Sequence, residues 1–202
     1  SSDLLDWAVE DGIRLSGPTG SDVGGPRFLP LPDGRGRIYC FSRADRAIVS
    51  AVTTDGLTFA WEPGIRLQAG AAARSVLESA GVTAAEVVAP ILPDDPWVMV
   101  YSAWQDVPPG TIVPPHPSSD PEFEARGGDF AAASIAADLA GFRSRIFAAT
   151  SADGLTFERA GLLIEGAGFD GTGIDAVHAE DMCLARLDDG RWRMYYAACG
   201  TD

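Results

Sequence analysis

The sequence predicts an all-β protein assembled from repeated four-stranded antiparallel units, and three observations carry that expectation. A segment centred on Asp-Gly occurs twice between β-type runs, and a degenerate third copy opens the chain. A second element, an apolar strand leading through an acidic turn into an aromatic-rich strand, recurs three times. The composition agrees: 46% of the 202 residues are apolar, and five Trp, nine Phe and four Tyr suit a packed β core.

The Asp-Gly element comes first. Thr54-Asp55-Gly56-Leu57-Thr58-Phe59 returns as Ala152-Asp153-Gly154-Leu155-Thr156-Phe157. Each copy follows a β-type run (Ala47 to Val52, Arg145 to Thr150) and precedes an apolar strand (Gly64 to Leu67, Gly161 to Ile164). Asp-Gly between two apolar runs is the strongest short hairpin signal, because Gly supplies positive φ at no steric cost. Asp3 to Leu15 aligns without gaps on Asp55 to Leu67 and sets Gly12-Ile13-Arg14-Leu15 over Gly64-Ile65-Arg66-Leu67. An outer strand is therefore expected over Asp3 to Leu15.

The second element runs from Gly25-Pro26-Arg27-Phe28-Leu29 through Asp33-Gly34 to Ile38-Tyr39-Cys40-Phe41. It recurs as Val88 to Leu92, Asp94-Asp95 and Val98 to Tyr101, and again as Asp181 to Ala185, Asp188 to Gly190 and Trp192 to Tyr196. Joined in order, the two elements make a blade of four antiparallel strands, and repeated blades of this kind build a β-propeller. The expected organisation is one propeller domain over 1–202. It comprises an outer strand at 3–15, a blade at 22–67, a blade at 86–164 carrying an insertion at 105–143, and a half blade at 180–202. Ala69 to Ala80 is Ala-rich and predicts a short helix between blades. The insertion starts Pro-rich, holds His116 as a surface residue, and ends in a helix expected over Asp129 to Leu139.

Charge and motifs exclude several functions. The formal net charge of −14 repels nucleic acid and an anionic membrane surface, so neither is an expected partner. No apolar run approaches the roughly 20 residues that cross a bilayer. Ser1 rather than Met opens the sequence, which is consistent with a trimmed leader, and the compartment stays open. Cys40, Cys183 and Cys199 lack metal-ligand spacing and are expected as small residues buried in strands. No Gly-x-Ser-x-Gly, P-loop or paired-His zinc motif occurs.

Ser151-Ala152-Asp153-Gly154-Leu155-Thr156-Phe157, with Asp189-Gly190-Arg191-Trp192-Arg193-Met194-Tyr195-Tyr196 after it, resembles the five-bladed β-propeller glycoside hydrolases. That group includes the arabinanase and xylosidase, invertase, and mannoside phosphorylase types. The resemblance covers nearly the whole chain outside the insertion, and implies a carbohydrate substrate and no cofactor, with room for a structural calcium ion on the axis. It also implies three carboxylates at the starts of successive inner strands. Asp22, Glu86 and Glu180 occupy the matching places, Asp22 as base or nucleophile, Glu86 as modulator and Glu180 as acid. Cleaving a glycosidic bond takes one carboxylic acid to protonate the leaving oxygen and one carboxylate to activate water or attack. A third nearby raises the acid's pKa by like-charge repulsion. His178, Asp181, Arg27 and Trp104 complete the candidate site as sugar-binding residues.

The sequence departs from the family where Val23 follows Asp22 and Ile91 follows Ala89-Pro90. Those departures support a second expectation, a non-catalytic propeller that binds a glycan or a protein on its axial face. A propeller needs four or more blades to close. The residues here supply about three blades' worth of strands, so two further blades are expected, from the remainder of a longer polypeptide or from a second copy.

Overall fold

The computed structural model describes residues 11–17, 22–69, 76–106, 142–168 and 171–200. Eleven strands run in order: β1 Val23–Pro30, β2 Gly36–Ser42, β3 Ala47–Thr53, β4 Ala60–Trp61, β5 Leu67–Gln68, β6 Gly81–Val88, β7 Trp97–Asp106, β8 Phe142–Ser151, β9 Glu158–Ile164, β10 His178–Arg186 and β11 Trp192–Cys199. They form three antiparallel sheets: blade 1 (β1-β2-β3, with β4 and β5 both on the far edge of β3), blade 2 (β6-β7-β8-β9) and a half blade (β10-β11). A 3-10 turn, Val76–Glu78, stands between blades 1 and 2, and no α-helix occurs among the described residues.

Turn chemistry sets the strand connections. In blade 1 the Thr53 hydroxyl donates to Asp55 Oδ1 at 3.0 Å, and that oxygen accepts the amides of Leu57 and Thr58, each at 2.8 Å. Blade 2 repeats the pattern: the Ser151 hydroxyl and the amides of Leu155 and Thr156 reach Asp153 Oδ1 at 2.9, 2.8 and 2.9 Å. The amides of Thr58 and Leu57, with the Thr53 hydroxyl, hold the Asp55 carboxyl down at about 2. Gly56 and Gly154 take φ values of 73° and 72°, which the turn demands and Gly supplies. The repeated Asp-Gly is thus structural.

Two-residue periodicity then gives each blade two faces. From blade 2, Met99, Tyr101, Ala103, Phe147 and Ala149 join Tyr39, Ile48 and Leu67 of blade 1 in one core. The alternate residues Val100 and Ile146 join Ala179 and Met182 of the half blade in a second core. A bulge between Thr83 and Ala85 reverses the alternation inside β6, so Val82, Ala85 and Val87 all reach the first core.

Several expectations need correction. The inner strand of blade 2 starts at Gly81, five residues before Glu86, because the apolar alternation already begins there. The outer strand of blade 1 is broken into β4 and β5, and the buried Arg66 guanidinium caps the carbonyls of Pro63 and Gly64 in the gap. Residues 11–17 carry no strand, although the Trp61 indole donates to Ser16 O at 2.8 Å, and residues 3–10 lie outside the described residues. β7 and β8 pair from Trp97 with Ser151 to Asp106 with Phe142. The insertion therefore opens after Asp106, and its expected helix at 129–139 and His116 lie outside the described residues. Of the three free cysteines only Cys40 is buried; Cys183 is exposed and Cys199 half-buried.

Candidate functional site

The starts of the inner strands and the ends of their neighbours enclose a cleft of about 360 Å³. Blade 1 contributes Phe41 and Ser42 from β2 and Arg43 and Arg46 from the following corner. Blade 2 contributes Gly81, Val82 and Thr83 from β6 and Trp104 from β7, and the half blade contributes Glu180 and Asp181.

Glu180 is fixed by its neighbour: the Trp104 indole N–H donates to Glu180 Oε2 at 2.9 Å. The Trp104 ring lies 6.1 Å from the His178 ring, centroid to centroid. His178 is only 4% exposed, and its Nδ1 lies 2.8 Å from Ser144 Oγ on β8. Asp181 has φ of +49°, a left-handed conformation that costs an L side chain free energy, and its amide donates to Ser102 Oγ at 3.2 Å. Strain of this kind persists only where the surroundings over-determine it, and it clusters at functional sites. Burial, and then the charge of Glu180, push the Cys199 thiol up.

The bulges show which positions correspond. A bulge falls after Gly24 in β1, after Thr83 in β6 and after Glu180 in β10. Gly24, Thr83 and Glu180 are therefore equivalent, and only Glu180 carries a carboxylate there. By the same register Asp22 corresponds to Gly81 and His178.

The seven expected site residues divide accordingly. Trp104, Glu180 and Asp181 line the cleft, with His178 against Trp104. Asp22 is exposed just before β1, and its carbonyl accepts the amide of the cleft residue Arg43 at 3.2 Å. Glu86, expected to open its strand, is the sixth residue of β6 and does not line the cleft. It pairs with Arg27, Nε to Oε2, at 3.3 Å, and burial lifts its carboxyl above the usual range against the pull of that guanidinium. The strand-start rule failed at Glu86 because it counted from Pro90, whereas the ladder begins at Gly81.

Sequence reasoning missed Arg43, Arg46, Thr83 and Phe41. The available signal was Ser42-Arg43-Ala44-Asp45-Arg46, two of only 15 basic residues on one corner of a chain with net charge −14. The Ser42 hydroxyl closes that corner by donating to Asp45 Oδ2 at 2.7 Å, and Arg46 Nε donates to Ala80 O at 3.1 Å. The cleft thus offers guanidinium donors, carboxylate acceptors and an indole wall, a set matched to a hydroxyl-rich ligand. Among the described residues no group of three or more His, Cys, Asp or Glu side chains is arranged to hold a metal ion.

Neither a family model nor a curated protein matches the chain. Solved structures do. The chain superposes over 88% of its length on 45% of a putative glycosidase from Bacteroides thetaiotaomicron, at 17% identity and a TM-score of 0.53. It matches a thermostable family-43 glycoside hydrolase over 86% of its length and 41% of that chain, at 16% identity and a TM-score of 0.51. The fold is that of the β-propeller glycoside hydrolases. An α-L-arabinofuranosidase from Lactobacillus brevis agrees, with 86% of this chain on 43% of that one, 12% identity and a TM-score of 0.50. The chain spans less than half the length of each of these neighbours.

Proposed function

We propose that this chain forms the carbohydrate-binding part of a propeller glycosidase, in which Glu180 protonates the leaving glycosidic oxygen. The observation that carries the reading is Glu180 itself, a carboxylate in a cleft, held by the Trp104 indole at the one bulge position where the other blades have Gly24 and Thr83. The Trp104 indole orients the Glu180 carboxyl in the cleft, where a glycosidic oxygen of a bound sugar would meet it. Arg43, Arg46 and Asp181 bind sugar hydroxyls, and Trp104 offers an apolar wall to the ring. Asp22, whose backbone touches the Arg43 corner, is the second carboxylate, acting as base or nucleophile from the rim. Glu86 is engaged with Arg27 and has no part in the proton transfers.

Turnover of a panel of aryl glycosides tests this. Glu180→Gln is expected to lower kcat by about 100-fold or more, the usual contribution of a positioned general acid. Leaving-group dependence adds a sharper readout: the loss should shrink for leaving groups that depart without protonation. Unchanged turnover removes Glu180 from the mechanism.

A second reading, a glycan-binding propeller without catalysis, draws support from Gly24 and Thr83, since two of the three equivalent positions lack an acid. A binder keeps sugar affinity in Glu180→Gln and releases no reducing sugar with either protein.

A further inference from the structure

Most described guanidinium groups are engaged within the chain. Arg27, Arg37 and Arg159 pair with Glu86, Glu62 and Glu78, and Arg35 and Arg191 pair with Asp33 and Asp189. Arg66 and Arg143 cap backbone carbonyls. The two arginines of the cleft, Arg43 and Arg46, differ. Among the described residues neither meets a carboxylate at ion-pair distance, and the Arg43 side chain makes no hydrogen bond. Asp45, which stands between them in sequence, accepts instead the Ser42 hydroxyl that closes the corner.

The backbone holds both arginines in place. The Arg43 amide donates to Asp22 O at 3.2 Å, and Arg46 O accepts the amide of Ala69 at 3.0 Å. Arg46 Nε reaches Ala80 O at 3.1 Å, and the Ala80 amide in turn donates to Trp104 O at 2.8 Å. The corner, the start of blade 2 and Trp104 thus form one hydrogen-bonded set on the closed junction of blades 1 and 2. Arg46 has φ of +52°, and among the described residues the one other non-glycine residue with positive φ is Asp181, at +49°. Both line the cleft. Two strained side-chain-bearing residues in one cleft place strain where a ligand binds.

The charged residues lining the cleft are Arg43, Arg46, Glu180 and Asp181. A general acid works in its protonated form, so the role given to Glu180 leaves two guanidinium groups against one carboxylate. A neutral sugar leaves that positive surplus standing, and a sugar bearing one carboxylate cancels it. Guanidinium and carboxylate match through two parallel N–H···O bonds, and each Arg has five N–H donors, so hydroxyls of the same sugar can be held as well.

We infer that the ligand of this cleft is an acidic sugar, a uronosyl unit whose C6 carboxylate is held by Arg43 and Arg46. The inference rests on the glycosidase reading for the protonated Glu180 and deepens it by naming the substrate class. The net charge of −14 repels a polyanion, so a single acidic unit on an otherwise neutral glycan suits the chain better than a polyuronide.

Titration calorimetry of the purified chain with matched methyl glycosides, in both anomers, tests it. Glucuronic acid is set against glucose and galacturonic acid against galactose, so that each pair differs only at C6. At least one acidic glycoside is expected to bind at least about tenfold tighter than its neutral partner. Arg43→Gln should abolish that preference, and Arg46→Gln should reduce it. The Arg43 side chain is exposed, so the melting temperature of Arg43→Gln should equal the parent's. Glu180→Gln separates the two readings, because it should keep the preference for the acidic partner while turnover falls. Unchanged turnover in that variant counts against the acid alone, whereas the calorimetric preference stands or falls on the arginines. Methyl galactoside 6-sulfate distinguishes the anion, and tighter binding of the sulfate than of the uronate overturns the carboxylate assignment. Equal affinity within each pair, no binding of any acidic glycoside up to its solubility limit, or a preference that survives both Arg substitutions overturns the inference.

Discussion

Blade 1 and the half blade share a backbone, a bulge and a turn, and differ in what stands at the bulge. Blade 1 has Gly24-Gly25 there, and the half blade has Glu180-Asp181. Gly25 and Asp181 hold φ values of 57° and 49°, so the conformation belongs to the scaffold, and only one copy asks a side chain to adopt it. At Gly24 a Cβ would lie 2.7 Å from Phe41 Cζ, whereas the equivalent space on the half blade admits the Glu180 side chain beside Trp104. Repetition builds the frame, and departure from repetition sets two carboxylates in the cleft.

Making the two regions alike should break them unequally. Gly24→Glu, which copies the half blade into blade 1, forces the Phe41 ring to move and is expected to cost about 3 kcal/mol, read by denaturant unfolding. A midpoint equal to the parent's would mean that the close approach is not limiting. The Arg37–Tyr39 pair, at 3.3 Å, and the Arg193–Tyr195 pair, at 3.4 Å, give the next contrast. Tyr39→Phe removes a buried hydrogen bond and leaves Gly154 O without that donor, for an expected loss of about 1–2 kcal/mol. Tyr195→Phe, at an exposed ring, should shift stability by no more than about 0.5 kcal/mol. Equal losses at the two sites would show that the exposed pair is already covered.

Asp181→Gly copies blade 1 into the half blade and is expected to raise stability by about 0.5 kcal/mol or more, because Gly takes positive φ freely. The same substitution should weaken sugar binding, the pattern expected where a strained residue serves the site. A loss of stability would mean that the Asp181 side chain holds the bulge.

The smallest effect is one on which the two regions must agree. The Arg35 side chain, then its amide, hold the Asp33 carboxyl below the usual carboxylate range, and Arg191 does the same for Asp189. A depressed carboxyl binds its proton more weakly folded than unfolded. Its contribution is present above the unfolded value of about 3.9 and fades as pH falls through that value toward the folded one. Melting between about pH 6 and pH 2.5 should therefore show the same slight flattening for Asp33→Asn as for Asp189→Asn. Different slopes would mean that the two turns are not equivalent in solution.

Much of the fold was legible because its signals are local. Asp55-Gly56 and Asp153-Gly154 specify their turns through bonds within five residues. The alternation in Trp97 to Tyr101 and Trp192 to Tyr196 marks strands, and a hairpin needs nothing beyond its own turn and neighbours. The break between β4 and β5 was not legible, since it depends on Arg66 folding back on carbonyls and reaching Leu155 O of the next blade at 3.1 Å. Of the candidate site, Glu180, Asp181 and Trp104 were found and Arg43, Arg46 and Thr83 were not.

The sequence by itself determined the blades: strand period, turn type and the repeat that orders them are each written in ten or so neighbouring residues. Which acids converge was decided only by the tertiary structure. A bulge adds one residue and reverses the side chains after it, so Val82, Ala85 and Val87 share one core, while Glu86, five residues into a strand that begins at Gly81, lies beyond the cleft and pairs with Arg27. The cleft itself draws on Phe41, Thr83, Trp104 and Glu180, brought together by two interblade cores whose packing no short stretch of sequence contains.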